Sequence, residues 1–572
     1  MTRSKGLRHT RSTLSFEPLE ERRLLSFYSG PSTVRPVVAG GALYQITVSG
    51  GGYERIGHTQ QGIQVNLLGT TSSSTLAVKL IHILPHSRQL PLNIAAINVE
   101  SGQLGSIQAL GTANLTGPIT PLGNVSSIEF NSIIGNAQIN VAGDLGGLVA
   151  GNIALNPSGA IRVGHDLTGP LEAGVIALNG ASIAIGNDAT AKIAAASITL
   201  AHNGTLSIGR DATAGITVGD NLKLDTGGGV KVGRELDGLT IQGNLVVTPS
   251  GGAVSVGGDL TNLTIDGVLQ GNGTSRPDLS VGLSLVNLSV QGGEANAGGI
   301  ENASIAVAKS IIGFNVAHGV FNSLITAGVA INGQSGPGDT VNIGPDGTNA
   351  VFDSEIRAGQ DIINFLIGGD VASDYVTNPN PTGYRTRIIA GETPQGTFTS
   401  GGLIDNFQIT GSMTDSVLAA SVAPYGGNGT LPPTGYGSNS TTPVPPGDGG
   451  ANTYDQPAGV IVGGVVGATI SYANYSEVSY YNELPTGVAY NPADPTIDDD
   501  ILPGGAINPS FASAPLASSA LVAGATLPLP TRSTVLGGVI STPHGDNQDY
   551  AGIFAADTSG VFVGKLPVTS AT

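Results

Sequence analysis

Apolar residues in this chain come in pairs two positions apart, and the pairs return about every two dozen residues. Leu239-Thr240-Ile241, Leu263-Thr264-Ile265, Leu288-Ser289-Val290, Phe314-Asn315-Val316, Phe365-Leu366-Ile367 and Phe407-Gln408-Ile409 all carry apolar side chains at i and i+2. A period of two puts both side chains on one face of a strand. Strands this short bury little alone, so the recurrence predicts stacking on equivalent strands about 4.8 Å above and below.

Each pair follows a glycine turn and a polar residue. Val232-Gly233-Arg234-Glu235-Leu236, Val256-Gly257-Gly258-Asp259-Leu260 and Ala358-Gly359-Gln360-Asp361-Ile362 are three copies of the phrase. The polar residue marks the period. It falls at Gln103, Asn124, Asp144, Asp166, Asp188, Asp211, Glu235, Asp259, Ser284 and Ser310, in steps of 21, 20, 22, 22, 23, 24, 24, 25 and 26, and again at Asp361 after 51, about two periods. A step of this size is one β-helix coil. A second element recurs as Phe321-Asn322-Ser323-Leu324-Ile325, Phe352-Asp353-Ser354-Glu355-Ile356 and, degenerately, Met413-Thr414-Asp415-Ser416-Val417. Its Asn/Asp-Ser pair suits a tight bend in which short polar side chains bond their own backbone.

The fold class that follows is all-β, a right-handed parallel β-helix (β-solenoid) with long insertions in the C-terminal coils. The leucine-rich-repeat consensus and its helical side are missing. Residues 31–95 read as a β-rich N-terminal cap, with strands at Ala42 to Val48, Ile63 to Leu67 and Leu76 to Ile83; solenoids need an atypical terminal element over the open core. Residues 96–423 carry the coils, a dozen or so, giving a rod on the order of 60 Å. Residues 424–572 are read as a loop-rich continuation with closing strands, rather than a separate domain.

Composition narrows the class. Charged residues are 11%, aromatics 5%, and Gly is 87 of 572. No run of about 18 apolar residues occurs, so no helix is expected to span a membrane. The net charge of −18 is uneven: residues 1–30 hold six basic and three acidic residues, so the head is +3 and the remainder −21. An acidic body without basic patches argues against nucleic acid, whose phosphates need clustered Lys and Arg. The absence of Cys excludes disulfides and thiolate metal sites.

Residues 1–30 lack the apolar core of a secretory signal; on physical grounds they are a basic tail with one short amphipathic stretch, Leu14 to Leu25. Phe16-Glu17-Pro18-Leu19-Glu20-Glu21-Arg22-Arg23-Leu24-Leu25-Ser26 nevertheless resembles the LEPR-XLL signature at the start of large extracellular proteins of planctomycete bacteria. Leu19, Glu20, Arg22, Leu24 and Leu25 match it, and Glu21 stands where the family has Pro. The resemblance covers about a dozen residues. It implies a sorting signal and an exported or surface-held protein, and nothing about activity.

Candidate chemistry is sparse. The column Asp144, Asp166, Asp188, Asp211, Glu235 and Asp259 could form a cation ladder, since carboxylates suit Ca²⁺, but exposed turn residues partly neutralised by Arg210 and Arg234 are the favoured reading. Asp498-Asp499-Asp500 and Asp546-Asn547-Gln548-Asp549 read as solvated loops, and His82 and His86 form the only close histidine pair. Arg357, Arg385 and Arg387 near Asp353, Asp361 and Asp370 are the one mixture of bases and acids within the coils. Eight of the 14 tyrosines fall within residues 424–490. They cover the solenoid flank or form a binding face. The expectation is therefore a secreted or cell-surface structural or adhesive protein without catalytic residues, cofactor or metal. Its expected partner is a cell-envelope or extracellular polysaccharide. The competing reading is a polysaccharide lyase or hydrolase with its acid/base cluster near residues 353–387.

Overall fold

The computed structural model describes residues 36–420 apart from 40, 85–89, 121, 274–276, 293–298, 333–340, 346–348, 373–385, 392–402, 412 and 415–416. Beyond them it describes the strands Val460–Val466, Ile470–Ser471, Glu477–Tyr480, Ala520–Ala523 and Gly552–Phe554. The described residues contain strands and turns and no helix. The chain is a parallel β-helix: successive coils stack in register, and their strands build three faces.

The recurring apolar pairs lie on the first face. Leu239, Leu263, Leu288 and Phe314 align coil on coil, as do Phe365 and Phe407. The second face stacks Leu222, Leu245, Leu269, Ile300, Val320 and Val351. The third stacks Ile139, Ile161, Ile183, Leu206, Val230, Val254, Leu279, Ile305, Ile325, Ile356 and Ile388 in steps of 22, 22, 23, 24, 24, 25, 26, 20, 31 and 32. All of these side chains are buried. Each contributes roughly 1.5–3 kcal/mol of transfer free energy, so the core is a thin axial filament of Ile, Leu and Val. The step of 51 after Ser310 resolves into coils of 20 and 31 residues, since Ile311 aligns with Ile331 and Ile331 with Ile362.

Early coils differ from the short-strand pattern. Leu148–Leu155, Leu171–Asn179 and Ile193–Ala201 are continuous strands that serve both the first and second faces. From Ile216 onward the two faces separate into shorter strands such as Ile216–Val218 and Leu222–Leu224.

Corners are built by residues in the left-handed region. Gly238, Asn262, Asn287, Gly313 and Asn364 all have positive φ and occupy one register position, two after the aligned Leu260, Leu285, Ile311 and Ile362. Asn302, Asn322 and Asp353, at φ 49, 47 and 46, make a second corner before the third face. Only Gly, Asn and Asp adopt this conformation at little cost. At that second corner Ser323 Oγ donates to the Phe321 carbonyl at 2.6 Å and Ser354 Oγ to the Phe352 carbonyl at 2.8 Å, the local bonding that the Asn/Asp-Ser pair implies. The hydroxyls also join coils: Ser323 Oγ accepts the Ala303 N–H, Ser354 Oγ the Ser323 N–H and Thr386 Oγ1 the Ser354 N–H.

The N-terminal rows run differently. Val37–Ala39 pairs antiparallel with Ala42–Ser49, which pairs antiparallel with Thr75–Ile83, and Tyr53–Thr59 pairs antiparallel with Gly62–Leu68. Pairing turns parallel at Leu92–Val99 and Ser106–Leu115. The antiparallel strands cover a row whose backbone groups would otherwise be a template for edge pairing, and Glu54 and Arg55 put charge on the edge strand Tyr53–Thr59. At the other end the third face continues through Arg387–Ala390, Val417–Ala420, Glu477–Tyr480 and Ala520–Ala523 to Gly552–Phe554, all parallel.

Candidate functional site

The acidic column stands on the turn between the third face and the first, and its carboxylates are occupied. Asn124 Oδ1 accepts the Asp144 N–H at 3.0 Å. Asp144 Oδ1 accepts the Asp166 N–H at 3.2 Å, Asp166 Oδ1 the Asp188 N–H at 3.1 Å, and Asp188 Oδ1 the Asp211 N–H at 3.2 Å. Asp211 Oδ1 then accepts the Glu235 N–H at 3.1 Å. Each side chain therefore holds the backbone of its own counterpart one coil on. The chain of bonds stops at Glu235 and resumes as Asp259 Oδ1 accepting the Ser284 N–H at 2.8 Å.

The arginines belong to the same device. Arg210 grips Asp188 with Nε at 3.1 Å and Nη2 at 2.6 Å, and Arg234 grips Asp211 in the same two-pronged way. The hydrogen bond from Arg234 holds the Asp211 carboxyl below the usual aspartate value, aided by the Glu235 N–H and by the charges of Arg234 and Arg210, against a smaller upward push from burial. Among the described residues no group of three or more His, Cys, Asp or Glu side chains converges as metal ligands would.

The mixture of acids and bases expected near residues 353–387 is partly assembled, around a residue the sequence reading did not single out. Glu355 and Arg387 are register neighbours on the third face, and Arg357 lies two positions along the same strand as Glu355. Both guanidiniums bond Glu355 Oε1. Glu355 and Arg387 are each 1% exposed and Arg357 8%. Asp353 is buried at the corner two residues earlier. Asp361 begins a first-face strand and Asp370 a second-face strand, and Arg385 lies outside the described residues. The i, i+2 spacing of Glu355 and Arg357 was the available signal; it puts both on one side of the strand.

Burial is the largest influence on the Glu355 carboxyl and pushes it up. The charges of Arg387 and Arg357 and their hydrogen bonds outweigh it and hold the group below the usual glutamate value. A carboxylate held ionised in this way is a poor proton donor and a weak base. Asp361 goes the other way: burial raises it, against a hydrogen bond from the Leu403 backbone.

Elsewhere a shallow trough of about 410 Å³ crosses the outer side of the early coils, lined among others by Val149, Glu172, Gly174, Ala194, Thr217 and Gly219. Glu172 is its one ionisable side chain. His82 is exposed on a strand of the antiparallel rows, and His86 lies outside the described residues. So do Leu19, Glu20, Arg22, Leu24 and Leu25, the acidic runs at 498–500 and 546–549, and the tyrosines of 424–490 other than Tyr480, which ends the strand Glu477–Tyr480. No helix among the described residues is long and apolar enough to cross a membrane. No protein-family model, curated protein or solved structure matches this chain.

Proposed function

We propose that this protein is a structural, adhesive β-solenoid of the cell surface or extracellular space, that it is not an enzyme, and that its partner is a cell-envelope or extracellular polysaccharide. The observation that carries the reading is how its polar groups are used. Each aspartate from Asp144 to Asp211 bonds the next coil, and the clustered acid and bases at Glu355, Arg357 and Arg387 are buried against one another. The rod is the product of these residues. Leu19, Glu20, Arg22, Leu24 and Leu25 support export through their resemblance to the planctomycete sorting signature.

The test has two parts. The first is to locate the protein in its cell and map the mature N-terminus; an intact, cytosolic chain would end the export reading. The second is a glycan array probed with the full chain and with a chain lacking residues 424–490. Binding that is lost with the deletion supports adhesion through the tyrosine-rich stretch, and binding that survives removes that stretch from the reading.

Polysaccharide cleavage on the same scaffold is the competing reading, and Glu355 with its two arginines is what favours it. A glycosidase acid needs a raised carboxyl and contact with substrate, whereas Glu355 is held low and is 1% exposed. Polysaccharide breakdown by the purified chain that disappears in Glu355→Gln would reverse the preference.

A further inference from the structure

The rung formed by Asp278 has the bonding of the acidic column and the opposite surroundings. Asp278 Oδ2 accepts the N–H of Ser304, the coil's next residue in that position, at 2.8 Å. Oδ1 accepts the N–H of Asn272, in the bend that follows Gly271, at 3.3 Å. The backbone of Asp278 is fixed as well: its N–H donates to the Ser304 carbonyl and its carbonyl accepts the Val254 N–H. Unlike Asp188 and Asp211, Asp278 is 0% exposed. The carboxylate packs so closely on Gly271 that a Cβ there would lie 2.2 Å from Oδ2 and 2.4 Å from the Ala303 Cα.

No charged side chain faces Asp278 from the elements packed on it among the described residues. The bend contributes Gly271, Asn272 and Gly273, the preceding coil Ala253 and Val254, and the following coil Asn302, Ala303 and Ser304. Glu301 stands across the corner on the second-face strand Ile300–Glu301, and Arg276 lies outside the described residues. Two amide donors are a weak counterweight to removing a carboxylate from water.

We propose that Asp278 is a protonation-sensitive joint of the rod, tight when its carboxyl is neutral and loosened when it ionises, linking the bend after Gly271 and the coil at Ser304 to the ambient pH. Burial pushes its carboxyl up to about 6, and the Ser304 and Asn272 N–H groups only partly oppose this. A folded value above the exposed one means the closed joint binds the proton more tightly than the opened one. The joint is therefore firmest in acid and weakens as pH rises through the window from about 4 to 6, with little further change above.

Hydrogen exchange of the Ser304 amide tests this on the full chain, corrected for intrinsic rate and referenced to Val230 two coils away. The opening equilibrium should rise about tenfold between pH 5 and 8. Asp278→Asn should give a flat profile, and so should Asp278→Ser, which keeps a non-titrating acceptor should the first variant fail to fold. Arg276→Gln should leave the wild-type slope intact. A flat wild-type profile, a slope that survives both Asp278 substitutions, or a slope that vanishes in Arg276→Gln would each overturn the proposal.

Discussion

Arg210 reaches back one coil to hold both carboxylate oxygens of Asp188, while Asp188 Oδ1 also takes the N–H of Asp211. One side chain thus does two jobs of different worth. The ion pair is between partly exposed groups and contributes about 0–1 kcal/mol. The bond to the backbone N–H is charge-assisted, and losing it strands a half-buried donor, at about 1–3 kcal/mol.

Substitutions at Asp188 separate the two. Asp188→Asn keeps an acceptor for the Asp211 N–H and should cost at most about 1 kcal/mol, whereas Asp188→Ala should cost about 1–3 kcal/mol and deprotect the Asp211 amide. Denaturant unfolding with residue-resolved exchange reads both; equal costs for Asn and Ala would mean the ladder bond contributes nothing. Acid should weaken the neighbouring rung at Asp211. Its folded carboxyl is depressed by Arg234, so its contribution is fully present above the unfolded value near 4 and is lost as pH falls through the folded value.

Glu235 breaks the run. Its side chain has one methylene more than aspartate, it is exposed, and the N–H one coil on, at Asp259, receives no side-chain bond of the kind its neighbours get. Glu235→Asp should restore the rung and stabilise the rod by about 1 kcal/mol, with slower exchange at the Asp259 amide. A neutral or destabilising result would show that the turn at Arg234–Glu235 cannot present an acceptor to the next coil.

Much of this arrangement was legible in the sequence because solenoids repeat local chemistry. The period, the first-face strands and the corner at Asn322 and Asp353 each recur as residue types at fixed offsets. What the acidic column does was not legible. A polar residue at a turn has the same letter whether it faces solvent or the N–H of the coil above, and that choice depends on the register between coils. Glu355 was passed over for a related reason. An outward position in an early coil, such as Arg162 or Lys231, is exposed, while the equivalent Arg357 is buried, so periodicity alone misjudges the environment of the later coils.

The Glu355 cluster predicts a large asymmetry between breaking and replacing charge. Glu355→Ala leaves two buried guanidiniums without their shared carboxylate and should cost about 3–5 kcal/mol. Glu355→Met with Arg387→Met, which removes a buried pair of register neighbours together and leaves only Arg357 to lose its bond to Glu355, should cost less than the sum of the singles. Acid should mimic the single loss, because the depressed Glu355 carboxyl stabilises above its unfolded value and stops doing so as pH falls through the folded one. Calorimetry of the two single variants and the double variant decides it; additive costs would mean the residues do not act as a unit.

Asn262 predicts the value of a corner. It sits at φ 55 in register with Gly238, Asn287 and Gly313, and Asn287 Nδ2 donates to its Oδ1 at 2.9 Å across coils. Two effects oppose each other on replacing it with glycine: the left-handed backbone becomes free of Cβ strain, and the amide bond is lost. Each is worth about 1 kcal/mol or less, so Asn262→Gly should be close to neutral. Asn262→Val has neither the amide nor tolerance for that φ, and it should cost about 2–3 kcal/mol, from about 1–2 of backbone strain and about 1 of hydrogen bonding. Measuring both by denaturant unfolding, with the Asn287 amide as local probe, distinguishes backbone geometry from the side-chain ladder as what holds this corner. A glycine variant as unstable as the valine one would assign the corner to the ladder.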